Sequence, residues 1–328
     1  MSDLHLQRYG VFLNVEDPGG KPREALAQMA RTAVCAEELG FDDVWVAEHH
    51  YSGFAIGSAL PVLLGYLAAV TQRVRLGTGA ALLALNDPVR VAEDVATLDV
   101  LSQGRIEFGV ARGGPFPRQY QHSGLASADD ARERMFEALE LIRQLWRGPV
   151  AKFDGRYYRC ENMAIAPHPL QQPVPVWLAS LSTQALHLAA RHGYGLMATP
   201  SADLGGVAAL LGPERTARGN FPFAIARFFH CEPDHQSALA HGLAGVRAYP
   251  GLMGVRFAQG KLPPMFAPDA SDATILANAV IGDPQSCAAQ VRLLREQLGP
   301  HRLLLKPAAH DPEQARAALA LFMQLAVP

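Results

Sequence analysis

The stretch Asp43-Val44-Trp45-Val46-Ala47-Glu48-His49-His50 joins a short apolar run to three adjacent ionisable side chains. The apolar run predicts a buried strand, because β-branched and aromatic residues favour strands. In a parallel α/β sheet, loops gather at the carboxyl ends of the strands and ligands bind there. A histidine at such a strand end can exchange a proton near neutral pH. The alternative is that the three ionisable residues form an ordinary solvated loop, and this stretch alone leaves both interpretations open.

Outward from this strand, strands and helices alternate along the chain. Strands are predicted at residues 9–15, 43–47, 74–83, 105–111, 175–179, 196–199, 223–231 and 301–306. Each is followed by a helix or an excursion, which is the pattern of right-handed βαβ units. We therefore expect an α/β fold, a closed (β/α)8 TIM barrel, with an open doubly wound sheet as the alternative. No GxGxxG motif follows the first strand, which disfavours a Rossmann nucleotide site.

The chain is expected to form a single domain over residues 1–328, with insertions at the C-terminal face of the barrel. These insertions are predicted at about residues 112–128, 149–174 and 249–272. The last of them is rich in proline, glycine and methionine, and a long segment of this kind is usually a lid or a connector. Among the helices, Ser58 is predicted to cap one, and Asp87-Pro88 is predicted to begin another.

The composition is that of a globular protein with ample material for a core. The hydrophobic fraction is 49%, the charged fraction is 18% and the formal net charge is -2, so neither nucleic acid nor an anionic membrane is indicated as a partner. The longest apolar run, residues 59–70, is too short to span a bilayer. No signal peptide is predicted. The cysteines are far apart and indicate neither a disulfide framework nor a zinc site, so a cytoplasmic location is expected; they are Cys35, Cys160, Cys231 and Cys287.

Three further stretches have the composition of ligand-binding segments. Small residues at Gly77-Thr78-Gly79-Ala80 allow a ligand to approach the backbone, although tight packing would also require them. Arg112-Gly113-Gly114 offers backbone amides and a fixed positive charge, although a plain turn is the alternative. Residues 180–184 place serine and threonine at a predicted helix N-terminus, which can bind an anion or can simply be capped by serine.

Taken together and in this order, the motifs resemble the luciferase-like monooxygenase family. The similarity covers about residues 10–200 and a closing segment, Ile281-Gly282-Asp283-Pro284. The stretches that carry it are VAEHHY at 46–51, LGTGA at 76–80, DPVRVAED at 87–94, LDVLSQGR at 98–105, GVARG at 109–113 and PVWLAS at 175–180.

The resemblance implies a TIM-like barrel and a flavin-dependent activity. Members of the family use reduced FMN, usually supplied by a separate reductase, together with O2. The implied function is therefore an FMN-dependent monooxygenase that oxidises a small organic substrate through a C4a-(hydro)peroxyflavin. A homodimer is expected on the same basis.

Site residues follow from the resemblance position by position. His49 matches the family histidine near the flavin ring, proposed as the acid/base, and Glu48 matches a residue beside the flavin. Gly79 and Ala80 match a small pair that a non-prolyl cis peptide joins in bacterial luciferase. Arg112 matches an arginine that contacts the FMN phosphate. The implied phosphate loop contains three further cofactor-binding residues: Ser180, Ser182 and Thr183.

The sequence also departs from bacterial luciferase. Ala111 stands where luciferase has a reactive cysteine, Arg118 stands near its catalytic aspartate, and Leu181 replaces its glutamate. Light emission from a long-chain aldehyde is therefore not expected. The alternatives to an FMN monooxygenase are an oxidoreductase that uses the deazaflavin F420 and a flavin-binding protein without turnover.

No metal site is predicted, because adjacent side chains such as those of Glu48 and His49 point to opposite faces of an extended chain. The substrate pocket is expected to be apolar. Four phenylalanines could line it or belong to the core: Phe54, Phe116, Phe257 and Phe266.

Overall fold

The computed structural model describes residues 8–114, 117–218, 221–254 and 262–326. The strands are β1 Arg8–Leu13, β2 Asp43–Val46, β3 Arg75–Thr78, β4 Ala81–Leu82, β5 Ile106–Ala111, β6 Val150–Asp154, β7 Arg159–Met163, β8 Val176–Leu178, β9 Gly195–Ala198, β10 Phe223–Cys231, β11 Ala279–Gly282 and β12 Arg302–Pro307. The helices are α1 Pro22–Glu38, α2 Leu60–Val70, α3 Pro88–Leu101, α4 Pro117–His122, α5 Ala128–Arg147, α6 Thr183–His192, α7 Leu204–Arg218, α8 His235–Leu252, α9 Asp272–Leu276, α10 Pro284–Leu298 and α11 Pro312–Ala326.

Eight parallel strands close into a barrel in the order β1-β2-β3-β5-β8-β9-β10-β12, and β12 pairs with β1. Each of the eight coincides with a predicted strand, so the (β/α)8 prediction is confirmed and the open sheet is excluded. The long strand β10 pairs with β9 at its start, with β12 along most of its length and with the short β11 at its end. Because all eight strands are parallel, their carboxyl ends meet at one mouth of the barrel.

The barrel interior is filled by large aromatic residues that face small ones. Trp45 and Trp177 meet edge to face, with ring centroids 5.8 Å apart. A Cβ added to Gly77 would lie 2.1 Å from Trp45, so the glycine at this position is required by packing inside the barrel. Of the two interpretations of the small residues on β3, tight packing is therefore correct for Gly77.

The lower end of the barrel, where the strands begin, is closed by paired charges. Glu107 Oε1 accepts from Arg75 Nε at 2.5 Å and lies 3.2 Å from Arg302 Nη1, while its Oε2 accepts from Trp177 Nε1 at 2.6 Å. Arg302 also donates to Asp43 Oδ1 at 3.0 Å. These four charged groups, from β2, β3, β5 and β12, are named the lower plug. Burial, opposed by Arg302, raises the pKa of Asp43 to about 7.

Elements outside the barrel were only partly predicted. The excursion near Asp154 is an antiparallel hairpin of β6 and β7, and β11 was not predicted. The helix cap assigned to Ser58 is wrong: α2 begins at Leu60, its N-cap residue is Ala59, and no side chain caps it. Asp87 does cap α3, accepting from the amides of Val89 and Arg90 at 3.0 Å. Within the described ranges, no helix has the length and apolar character needed to cross a bilayer.

Candidate active site

A cavity of about 400 Å³ opens at the upper mouth of the barrel, where the strands end. Its wall is built from the segments that follow β1, β2, β3, β5, β8 and β9, and from β10 and α8. Five of the predicted site residues line it: Glu48, His49, Gly79, Ala80 and Arg112. The fold thus brings together residues that are up to 64 positions apart in the sequence (48 to 112). A volume of this size is typical of small-molecule and cofactor sites.

The Glu48 carboxylate is fixed by hydrogen bonds to the neighbouring strand segment. Its Oε2 accepts from the amide of Leu82 at 2.9 Å, and its Oε1 accepts from Asn86 Nδ2 at 3.1 Å. His50 Nε2 lies 2.7 Å from the same Oε1. Glu48 therefore links the end of β2 to the segment after β3. It also holds the His50 ring through a hydrogen bond. Its remaining capacity to contact a ligand is limited.

His49 lines the cavity and is half-buried. Burial, together with the nearby positive charge of Lys306, lowers the pKa of His49 to about 4. The imidazole is therefore neutral at physiological pH. A neutral imidazole can accept a proton or a hydrogen bond from a bound molecule, whereas it holds no stored proton to donate as an imidazolium.

The floor of the cavity is formed by the peptide between Gly79 and Ala80, which is cis. A Cβ added to Gly79 would lie 2.8 Å from Phe12 Cε2, so a side chain at this position would collide with the barrel interior. Ala80 presents only a methyl group. The floor therefore carries no side chain larger than a methyl group, and flavin binding at Gly79 and Ala80 stays a prediction.

The two groups expected to bind phosphate differ in where they lie. Arg112 lines the cavity, and its Nη1 donates to Tyr120 Oη at 3.0 Å. Ser180, Ser182 and Thr183 do not line the cavity, although Ala179, directly before them, does. Ser182 is the N-cap of α6, with its Oγ accepting from the Ala185 amide at 3.3 Å. Ser182 therefore caps α6, and anion binding by the amides of this turn stays a prediction.

Four residues of the upper mouth were missed by the sequence analysis: Asn14, Glu16, Lys306 and Tyr249. Lys306 is 2% exposed; its Nζ lies 2.7 Å from Glu16 Oε1 and 4.4 Å from the centre of the Tyr249 ring. Tyr249 Oη accepts from Asn14 Nδ2 at 2.5 Å. Burial alone would raise the pKa of Glu16, but Lys306 and His310 outweigh it and lower the pKa to about 2. The sequence signal that could have pointed to this cluster was a single lysine, Lys306, at the end of the apolar strand β12.

The outer wall of the cavity is apolar. Phe228, Tyr249, Met253 and Phe266 line it. Of the four phenylalanines considered from the sequence, Phe266 lines the cavity, whereas Phe54 packs behind it against Tyr249 and Met253. Phe116 and Phe257 lie outside the described residues.

A sequence model described as luciferase-like monooxygenase matches residues 7–302 of the chain. The chain belongs to the luciferase-like monooxygenase family. The family resemblance expected from the sequence motifs is confirmed, and the match extends well beyond residue 200.

Luciferase-like relatives with two kinds of cofactor are similar to this chain. The oxygenase component of the flavin-dependent trigonelline monooxygenase of Acinetobacter baylyi is 29% identical over 197 residues, 59% of this chain and 54% of that protein. The F420-dependent glucose-6-phosphate dehydrogenase of Beutenbergia cavernae is 36% identical over 183 residues, 54% of this chain and 53% of that protein. The chain therefore spans about half the length of the curated relatives it matches.

Solved luciferase-like structures agree with the fold over nearly the whole chain. The crystal structure of the monooxygenase RslO1 from Streptomyces bottropensis superposes with a TM-score of 0.83 at 25% identity, covering 97% of this chain and 98% of that chain. This match shows that the fold is shared over nearly the whole length of both chains.

Proposed function

We propose that the protein is the oxygenase component of a two-component system, an FMN-dependent monooxygenase that receives reduced FMN from a separate reductase. The observation that carries the proposal is the cavity at the upper mouth, which Gly79, Ala80, His49 and Arg112 line together. Gly79 and Ala80 contribute no large side chain to the cavity, which leaves space for the flavin ring. Bound reduced FMN would supply the activation of O2.

The chain's own residues would orient the cofactor and its reaction partners. Arg112 and the amides of the Ser180–Thr183 turn would hold the phosphate, because an arginine and a helix N-terminus both favour anions. His49, neutral at physiological pH, would accept a hydrogen bond or a proton at the edge of the ring. The apolar side chains of Phe228, Met253 and Phe266 would exclude water from the reacting centre.

The same wall points to a small, uncharged, largely apolar substrate. Phe228, Tyr249 and Phe266 offer ring surfaces, and the Lys306 charge beside them is already paired with Glu16. Gln119 also lines the cavity, and its buried Oε1 has no hydrogen-bond partner within the described ranges. An acceptor of this kind would bind a donor group on the substrate or the flavin.

A second candidate function is an F420-dependent oxidoreductase that does not use O2. It is favoured by the similarity to the F420-dependent dehydrogenase, which is 36% identical over 183 residues. Reconstitution with each cofactor distinguishes the two candidates. We expect reduced FMN to bind and to support O2-dependent consumption of a small organic compound, measured over a panel of apolar substrates. Binding of F420 with O2-independent turnover would contradict the FMN assignment.

The role of His49 can be tested against its neighbour His50, which does not line the cavity. We expect His49→Ala to lower turnover about 10²- to 10⁴-fold, the range typical of general acid–base groups. His50→Ala should cost much less. Because the pKa of His49 is about 4, this histidine stays neutral between pH 6 and 7. Its titration should therefore cause no change in wild-type activity over that range. Equal turnover in His49→Ala and wild type would disprove the role.

We also propose a homodimer formed through α2. The exposed face of this helix carries Val62, Tyr66 and Val70, with 70%, 50% and 36% exposure. Residues 59–71 contain no charged side chain, so this face can be buried against an apolar partner, and the family resemblance implies that the partner is a second copy of the chain. Light scattering should give twice the chain mass for the wild type and the chain mass for Tyr66→Glu. Ala317→Glu, on α11, is the control and should remain a dimer; a monomeric wild type would contradict the proposal.

A further inference from the structure

Three side chains of metal-binding type meet at the rim of the barrel, and none of them lines the cavity: His230, Glu232 and His241. His230 is near the end of β10, Glu232 follows that strand, and His241 is on α8. Both imidazoles contact the same carboxylate oxygen, Glu232 Oε1: His230 Nε2 at 2.7 Å and His241 Nδ1 at 2.8 Å. The three ligand atoms lie within 4.8 Å of one another.

We propose that His230, Glu232 and His241 form a binding site for a divalent transition-metal ion of the zinc class, which fastens α8 to the end of β10. Two imidazole nitrogens and one carboxylate oxygen are a donor set that zinc accepts, with water in the fourth position. Metal–ligand bonds of about 2.0–2.2 Å in a tetrahedron place neighbouring ligand atoms roughly 3.3 Å apart. The two nitrogens therefore need to move away from Oε1 by about half an ångström.

The surroundings permit this small movement and favour a cation. The side chain of His230 is 1% exposed and fixed, whereas those of Glu232 and His241 are 24% and 56% exposed and can adjust. Glu232 forms ion pairs only with these two histidines among the residues that the structure describes.

The proton balance of binding is simple. A neutral imidazole binds metal through the nitrogen that carries no proton. In the metal-free site His230 Nε2 and His241 Nδ1 donate to Glu232 Oε1, so each carries the proton of its ring. On metal binding each neutral imidazole would give up that proton and take one up on its other ring nitrogen, so protons would be exchanged with solvent without net release. Protonation of either imidazole would compete with the metal, and affinity should fall at acidic pH.

The consequence is a structural clip for a helix that shapes the active site. Tyr249, in the wall of the cavity, lies eight residues after His241 on the same helix, about 12 Å further along it. The metal would hold the first half of α8 against the barrel and so stabilise the position of its far end. It would not contact the substrate.

The test uses full-length protein without a polyhistidine tag, treated with a chelator and then titrated with ZnCl2 in a calorimeter. His241→Ala and Glu232→Gln each remove one ligand at a partly exposed position. His168→Ala removes an exposed histidine from another part of the chain and is the matched control. Thermal unfolding of the same four proteins, with and without Zn²⁺, gives a second readout that does not depend on activity.

We expect the wild type and His168→Ala to bind one equivalent of Zn²⁺ and to unfold at a higher temperature when it is present. His241→Ala and Glu232→Gln should bind at least tenfold more weakly and should lose the thermal shift. The proposal is overturned if the wild type shows no saturable binding, or if both ligand variants bind as tightly as the wild type. Either result would leave the flavin assignment intact, because no flavin is present in the experiment.

Discussion

The two ends of the barrel use similar side chains for different purposes. Each holds buried ion pairs beside aromatic rings: Arg302 lies 4.6 Å from the Trp177 ring centre at the lower end, and Lys306 lies 4.4 Å from that of Tyr249 at the upper end. In the lower plug the charges fill the space between the strands. At the upper mouth they stand beside a cavity of about 400 Å³. The lower charges pair with one another inside the barrel, whereas at the upper end burial and the Lys306 charge lower the pKa of His49 in the cavity wall.

The largest effect is expected from breaking the lower plug. Glu107→Leu would leave Arg75 and Arg302 without their shared carboxylate, and removal of one partner from a buried pair typically costs about 3–5 kcal/mol. The free energy of unfolding, measured in urea, should fall by this amount. Glu93→Leu, whose carboxylate pairs with the exposed Arg90, is the control and should cost no more than about 1 kcal/mol. Similar losses in the two variants would show that the plug has no special role in stability.

The next effect concerns the upper mouth. Ala80→Leu would extend a branched side chain from the floor into the space assigned to the flavin ring. FMN affinity should fall at least about 100-fold, equivalent to roughly 2.7 kcal/mol, while the protein remains folded. Ala317→Leu, on the exposed face of α11, should bind FMN as the wild type does. Unchanged FMN binding by a folded Ala80→Leu protein would place the flavin elsewhere.

A pH-dependent effect, small per pH unit, separates the two ends further. The pKa of Asp43 is about 7 in the folded protein and 3.8 as its ordinary value, so folding favours the protonated carboxyl. Its contribution to stability is full below pH 4 and is lost as the pH rises through about 7. Relative to Asp43→Asn, the unfolding free energy of the wild type should decline with rising pH by at most about 1.4 kcal/mol per unit. Parallel curves for the two proteins between pH 4.5 and 7.5 would contradict the assigned pKa.

Much of the fold could be predicted from sequence because its signals are local. Apolar runs such as that ending at Val46, and helix starts such as Asp87-Pro88, each fix an element through neighbouring residues. Because these strands and helices alternate with short connections, only a few topologies are possible. Ser58 was misleading, because a serine near the start of a helix caps the helix only if it occupies the N-cap position. In α2 that position belongs to Ala59.

The site was predictable only where it follows the ends of strands. His49, Gly79–Ala80 and Arg112 lie at such ends, so a parallel barrel brings them to one mouth. Lys306 and Glu16 were missed because their pairing joins the two ends of the chain, 290 positions apart. The approach of His241 to His230 depends likewise on how α8 packs, which no local pattern specifies.

The central claim is that the upper mouth holds FMN, with its ring on the Gly79–Ala80 peptide. A crystal structure of the protein with FMN tests it most directly. We expect the ring to contact Gly79 and Ala80, His49 to lie at its edge, and the phosphate to lie between Arg112 and the Ser182 turn. An FMN ring bound outside the cavity, or a phosphate far from both Arg112 and that turn, would contradict it.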